Sequence, residues 1–322
     1  MNSSERNKYR IVFMGTPDFA VTSLASLHEA GYHIAGVLTT PPKKAGRGLK
    51  EHKCAVHIKA EALNIPVCAP EKTNDPEAIK TIQSWNADLG VVVAFKKLPE
   101  QIYNAPRLGT FNLHASYLPD YRGAAPINRA IMNGETTTGV STFLLNDRID
   151  EGHIFYQETL DIDINETAGE LHDRMMNIGA DLVVKTADDY LSEKIKPKPQ
   201  SNASDKKAPK IFREDTIIDW SKSVLDIHNH IRGLSPYPGA YTILTSPKNM
   251  EVKVFRSKFL ANEVIEEVND VQHIREKDRW LVKNTTGTLE ILEVQPKGKR
   301  KMMVKEWLNG LSEGDIDTLQ HH

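Results

Sequence analysis

One change of texture constrains the fold of this chain more than any other feature. Apolar strand runs alternate with helical patterns over the first two thirds, then give way to short strands separated by polar turns. Ile11 to Met14 is an unbroken apolar run closed by Gly15, so Arg10–Met14 reads as a buried strand. Thr16 can cap a following helix with Pro17 at its first position, and Ala20, Leu24 and Leu27 recur at helical spacing until Gly31. Further strands are expected at His33–Thr39, Asp88–Phe95, Thr110–His114, Val140–Leu145 and Ile154–Leu160. Leu89 to Ala94 carries no polar side chain, as a parallel strand covered on both faces requires. Strand and helix in alternation argue for an open α/β sheet.

Thr167 and Glu170 form a capping-box pattern that opens a long helix running to about Glu193. From Lys194 to Lys210 the chain is rich in lysine, proline and small polar residues and has no apolar periodicity, which is linker chemistry. A helix is expected over Val224–Leu234, ended by Pro236-Tyr237-Pro238-Gly239. Short strands follow at Ala240–Leu244, Glu251–Ser257, Trp280–Lys283 and Thr288–Gln295, the pattern of a small β-barrel. A chain of 322 residues is also longer than one hydrophobic core usually serves. The expected fold class is therefore α/β: a Rossmann-like, open and mostly parallel sheet, then a small OB-like β-barrel. The expected division is a catalytic domain over 8–193, a linker over 194–210 and a C-terminal domain over 211–320.

A net charge of -2 and a pI near 6.6 give the chain no general attraction to phosphate, so any nucleic-acid contact must come from local basic runs. Three such strips stand out: Lys43-Lys44-Ala45-Gly46-Arg47-Gly48-Leu49-Lys50, Lys297-Gly298-Lys299-Arg300-Lys301, and the linker lysines Lys194, Lys196, Lys198, Lys206, Lys207 and Lys210. Taken singly, each has the composition of an ordinary solvated loop. Cys54 and Cys68 are too few for a disulfide framework, and a cytoplasmic setting is expected. No stretch approaches the roughly 18 apolar residues of a membrane span, so no membrane partner is expected.

Chemistry concentrates in Phe111-Asn112-Leu113-His114-Ala115-Ser116. Strand alternation puts Asn112, His114 and Ser116 on one face. The strand ends at His114, at the carboxyl end where open α/β sheets bind ligands. The later loop Asn146-Asp147-Arg148-Ile149-Asp150-Glu151-Gly152 offers carboxylates. An amide donor, an imidazole and a carboxylate suit acyl transfer to an amine, with oxyanion stabilisation by Asn112 and His114 and proton removal by the carboxylate. The bland alternative, two satisfied polar groups at a strand end, would win for either residue alone. No metal site is expected: His52, Cys54 and His57 lack a fourth ligand.

The run Asn112-x-His114-x-Ser116-x-Leu118-Pro119-x-x-Arg122-Gly123-x-x-Pro126 resembles the signature of the 10-formyltetrahydrofolate-dependent formyltransferases. Gly15-Thr16-Pro17-Asp18-Phe19-Ala20, Ala45-Gly46-Arg47-Gly48, Gly123-Ala124-Ala125-Pro126-Ile127 and Trp220-Ser221 are similar to the branch whose acceptor is methionyl-tRNA. That resemblance implies 10-formyltetrahydrofolate as co-substrate, initiator methionyl-tRNA as partner, and a role in translation initiation; separately, a monomer is expected. It implies Asn112, His114 and Asp150 as the catalytic trio. Asp150 is preferred to Asp147 because the family motif sets its carboxylate two residues before a glycine, here Gly152. It also implies that Ser116, Tyr117, Leu118 and Pro119 line the folate site, and that Lys43, Lys44, Arg47, Lys50, Lys299 and Arg300 contact tRNA. Tyr117 departs from the usual leucine, and Phe95-Lys96-Lys97-Leu98-Pro99 from a longer, glycine-bearing loop. Two alternatives stay open: a formyltransferase acting on a nucleotide-linked amino sugar of the UDP-aminoarabinose type, and a non-catalytic RNA-binding protein.

Overall fold

The computed structural model describes residues 1–45, 50–201, 204–244, 250–260 and 271–311. They pack as two compact units that interleave along the chain. The first holds 1–123, 139–160 and 172–207; the second holds 124–138, 161–171 and the residues from 208 on. The texture change in the sequence suggests a single boundary near 194–210, whereas packing also draws two earlier segments into the second unit. The reason is burial: in the helix Pro126–Met132, Ala130 and Ile131 are fully buried and Met132 packs on the core of the C-terminal strands.

The sheet of the first unit has seven strands, in the order His153–Asp161, Thr137–Leu144, Thr110–His114, Leu89–Val93, Arg10–Gly15, His33–Leu38, Val67–Cys68. Arg10–Gly15 pairs in parallel with both neighbours, and Leu89–Val93 pairs in parallel with Thr110–His114. Thr137–Leu144 runs antiparallel to Thr110–His114. The order reverses at Arg10–Gly15, which makes this a Rossmann-like sheet with a topological switch point. Leu89–Val93 is buried at every position, as its unbroken apolar run requires. Val12, Met14, Leu38, Ile82, Val92 and Ile102 form the core on one side of it. The first long helix spans Asp18–Glu29, one residue later than expected, because Pro17 itself takes the extended cap conformation (ψ 176°).

In the second unit the Thr167–Glu170 box is formed as expected: the Thr167 amide donates to Glu170 Oε2 (2.9 Å) and the Glu170 amide to Thr167 Oγ1 (3.3 Å). The strands order as Ala240–Leu244, Met250–Leu260, Gly287–Pro296, Trp280–Asn284, Gln272–Arg275, all antiparallel, an arrangement that fits a small β-barrel domain. Trp220, Trp280 and Trp307 pack through its core as tilted ring pairs, with Trp280 fully buried. Among the described residues no helix is long and apolar enough to cross a membrane.

Candidate active site

Thr110–His114 sits centrally in the sheet, and its last residue brings an imidazole to the strand's carboxyl end. His114 is only 6% exposed. Its Nε2 lies 3.0 Å from the carbonyl oxygen of Tyr121. A carbonyl oxygen only accepts, so Nε2 carries the hydrogen in this contact and Nδ1 is the nitrogen left for chemistry. Nδ1 faces Asp150 Oδ1 at 4.0 Å.

Asp150 is held in turn. Its Oδ2 accepts the backbone N–H of Gly123 at 2.9 Å, which aims the other oxygen toward the histidine. Asp150 and Tyr121 both adopt left-handed backbone conformations, with φ of 56° and 58°. Such φ values are uncommon outside glycine and collect at functional sites. Gly123 has φ 131°, open only to glycine, and a Cβ on Gly152 would run into the carbonyl of Leu144. The glycine two residues after Asp150 is therefore required by close backbone approach. Arg122 bridges to Glu151 at 3.3 Å and Arg148 to Glu151 at 3.6 Å, so cations surround the acidic turn.

Asn112 lies two residues before His114 on the same alternation, half-buried, and its amide makes no hydrogen bond among the described residues. Strand alternation puts this amide on the face that carries the His114 imidazole. His114 and Asp150 thus share one environment, and Asn112 follows from the strand's periodicity.

The run after the strand is strongly tied to the protein. Ser116 is fully buried and donates to the Asp120 carbonyl at 2.6 Å. Ser141 Oγ donates to the Ser116 carbonyl (2.7 Å) and accepts from the Leu118 amide (3.0 Å), while Gln157 holds the Leu118 carbonyl at 2.7 Å. Leu118 is buried, Pro119 half-buried, and Tyr117 is 43% exposed. Of the four residues expected at a folate site, Tyr117 presents the most surface. In the departing 95–99 loop, Leu98 and Phe95 pack onto the core and Pro99 caps a short helix.

Among the basic groups, Lys43 is exposed at the start of a small hairpin formed by Lys43–Ala45 and Lys50–His52. Arg47 lies outside the described residues, as do the side chains of Lys44 and Lys50. Lys299 and Arg300 are exposed after Gly298 (φ 78°), with Arg300 paired to Glu306 and Lys299 without an acidic partner among the described residues. The groups that sequence reasoning passed over are the Tyr121 carbonyl and the Gly123 amide, which any residue type supplies, and Gln200, which sits in a segment with no periodicity.

Comparison with known proteins places the chain as a whole. The sequence model of the formyl transferase family matches residues 9–187, and that of the formyl transferase C-terminal domain matches residues 210–312. The methionyl-tRNA formyltransferase of Azobacteroides pseudotrichonymphae is 47% identical over 315 residues, covering 94% of this chain and 96% of that protein. That of Bacteroides fragilis is 42% identical over 313 residues, covering 95% and 96%. Among solved structures, WlaRD, a sugar 3N-formyl transferase, superposes with a TM-score of 0.66 at 19% identity, covering 91% of this chain and 99% of its own. HypX from Aquifex aeolicus, in complex with tetrahydrofolic acid, gives 0.65 at 17% identity over 95% of this chain and 48% of its own. These two likenesses are of fold. Domain matches over both units and close full-length relatives lead to one conclusion: the chain belongs to the methionyl-tRNA formyltransferase family of formyl transferases.

Proposed function

We propose that the protein transfers the formyl group of 10-formyltetrahydrofolate to the amino group of methionyl initiator tRNA, preparing it for translation initiation. The observation that carries the reading is the half-engaged histidine. Nε2 of His114 is tied to the Tyr121 carbonyl, and Nδ1 faces Asp150. In the proposed reaction the amine's lone pair attacks the formyl carbon and the carbonyl π pair moves to oxygen. The Asn112 amide donates a hydrogen bond to that oxyanion, a contribution of about 3 kcal/mol to the barrier. Nδ1 takes the proton lost by the amine and returns it to the folate nitrogen as the old carbon–nitrogen bond breaks with its electron pair. Asp150 holds the transient imidazolium, the part a buried carboxylate plays beside a catalytic histidine. One proton leaves one nitrogen and arrives at the other, so no serine or cysteine nucleophile is needed.

Tyr117 and its neighbours Ser116, Leu118 and Pro119 form the folate side of the site in this reading. Lys43, Lys44, Arg47 and Lys50 in the first basic run, with Lys299 and Arg300 on the C-terminal domain, take the tRNA phosphates. The two cysteines are both free, in keeping with work in the cytoplasm, where charged tRNA is available. A competition assay tests the whole proposal. Charged initiator methionyl-tRNA and UDP-aminoarabinose are offered together with a labelled formyl donor. Label is expected on the tRNA; label on the nucleotide sugar alone overturns the proposal.

A further inference from the structure

We infer that Gln200, within the stretch whose composition reads as linker, is a positioning residue for formyl transfer: it holds the turn that aims Asp150 at His114. The inference rests on the catalytic reading just proposed. Gln200 is half-buried although Lys198 and Pro199 before it are exposed. Its Nε2 donates to two carbonyls of the acidic turn, Asp150 O at 2.8 Å and Gly152 O at 2.8 Å. Its Oε1 accepts from Arg122, at 2.6 Å from Nη2 and 3.2 Å from Nε. Every hydrogen-bonding group of the side-chain amide is therefore engaged. Only a carboxamide offers two N–H donors and a carbonyl acceptor on one flat head. Glutamate would set a carboxylate against two carbonyl oxygens, and lysine would set a cation against the guanidinium.

What Gln200 joins is the more telling point. Arg122 precedes Gly123, whose N–H holds Asp150 Oδ2, and Asp150 itself stands in a left-handed conformation. The two halves of the carboxylate's anchor, its own turn and the Arg122-Gly123 segment, meet at one amide. Lys198 closes the approach by exchanging backbone hydrogen bonds with Ile154, at 2.7 and 2.8 Å. Further on, the Lys206 carbonyl accepts from the Tyr121 amide at 2.7 Å, and the Tyr121 carbonyl is the group that fixes Nε2 of His114. Residues Lys198, Gln200 and Lys206 thus secure both partners of the proton relay, and among the described residues Gln200 is the side-chain anchor on the carboxylate's side.

The test is a double-mutant cycle on the full-length protein. Gln200→Met, Asp150→Asn and the double variant are compared with the parent for kcat, for KM toward methionyl-tRNA and 10-formyltetrahydrofolate, and for Tm. Gln200→Met is expected to lower kcat roughly 10- to 100-fold, the scale set by ångström-level misplacement of a reacting group. Both KM values should stay within about twofold, because nothing that touches substrate is removed. In the Asp150→Asn background the same change should cost less than about twofold, because the group it positions is already disabled. Undiminished kcat in Gln200→Met, or an equal loss in both backgrounds, overturns the inference. Should Gln200→Met fail to fold, Gln200→Glu, which keeps the shape and the Arg122 contact, is read in the same way; failure of both to fold makes the residue structural and also overturns it. A parent enzyme that leaves methionyl-tRNA unformylated sinks the catalytic reading instead, so the two failures are distinguishable.

Discussion

His114 in the first compact unit and His228 in the second are both buried, at 6% and 1% exposure, and they have opposite uses. His228 engages both ring nitrogens. Nε2 donates to the Ile164 carbonyl at 2.9 Å, which leaves Nδ1 to accept the Ser257 hydroxyl at 2.8 Å. Burial pushes its pKa down, and it serves as a neutral cross-link. His114 engages one nitrogen and keeps the other facing a carboxylate across a gap too wide for a hydrogen bond. A buried histidine with both nitrogens satisfied is architecture; one left half-satisfied beside an acid is a candidate for chemistry. Arg232 in the second unit repeats the first pattern, 3% exposed, with its guanidinium on Asn229 Oδ1 and on the carbonyls of Asp163 and Glu166.

Substitution can break or sharpen this contrast. The largest effect is expected for His114→Ala, with kcat falling about a thousandfold while tRNA binding in a filter assay stays unchanged. A variant within tenfold of the parent would remove His114 from the chemistry.

The second expectation concerns pH and the other unit. Burial, with Lys222 nearby, pushes the pKa of His230 down to about 4, and its Nε2 is buried without a hydrogen-bond partner among the described residues. The unfolded chain, titrating near 6.5, takes up the proton first as pH falls. The stability linked to neutral His230 is thus complete above pH 6.5 and is lost between there and about 4, a change of about 3 kcal/mol. Urea midpoints at pH 7.5 and 4.5 check it, since His230→Phe should lose less stability over that interval than the parent. Equal losses in parent and variant would mean that His230 titrates normally.

His228→Leu comes third. It leaves the Ser257 hydroxyl and the Ile164 carbonyl without their partner and should cost about 2 kcal/mol in chemical denaturation. Activity per folded molecule should not change, and a matching fall in kcat would dissolve the distinction between the two histidines.

The smallest effects belong to the exposed cations. Lys299→Ala and Arg300→Ala should each raise KM for tRNA about two- to fivefold, leave kcat alone, and flatten the dependence of log KM on log salt by about one unit. An unaltered salt slope would take this turn out of the tRNA surface.

Much of this was legible in one sequence, for reasons that differ between elements. The Leu89–Val93 strand announced itself by an apolar run, and the Thr167–Glu170 cap by two residue types three apart, because both signals are local to the backbone that forms them. The association of Pro126–Met132 with the C-terminal strands was not legible, since its apolar residues fit either core. Nor was the role of Gln200: a strap built from backbone carbonyls and one amide has no apolar period to betray it.

Order along the chain and the chemistry of its side chains determined which groups were available: an amide and an imidazole on one strand face, a carboxylate before a glycine, and cations on two turns. Tertiary structure alone decided which ring nitrogen of His114 is free. That choice is made by the carbonyl of Tyr121, in a left-handed conformation held by Lys206. Every residue has a carbonyl, so its position in space, and not its identity, carries the information.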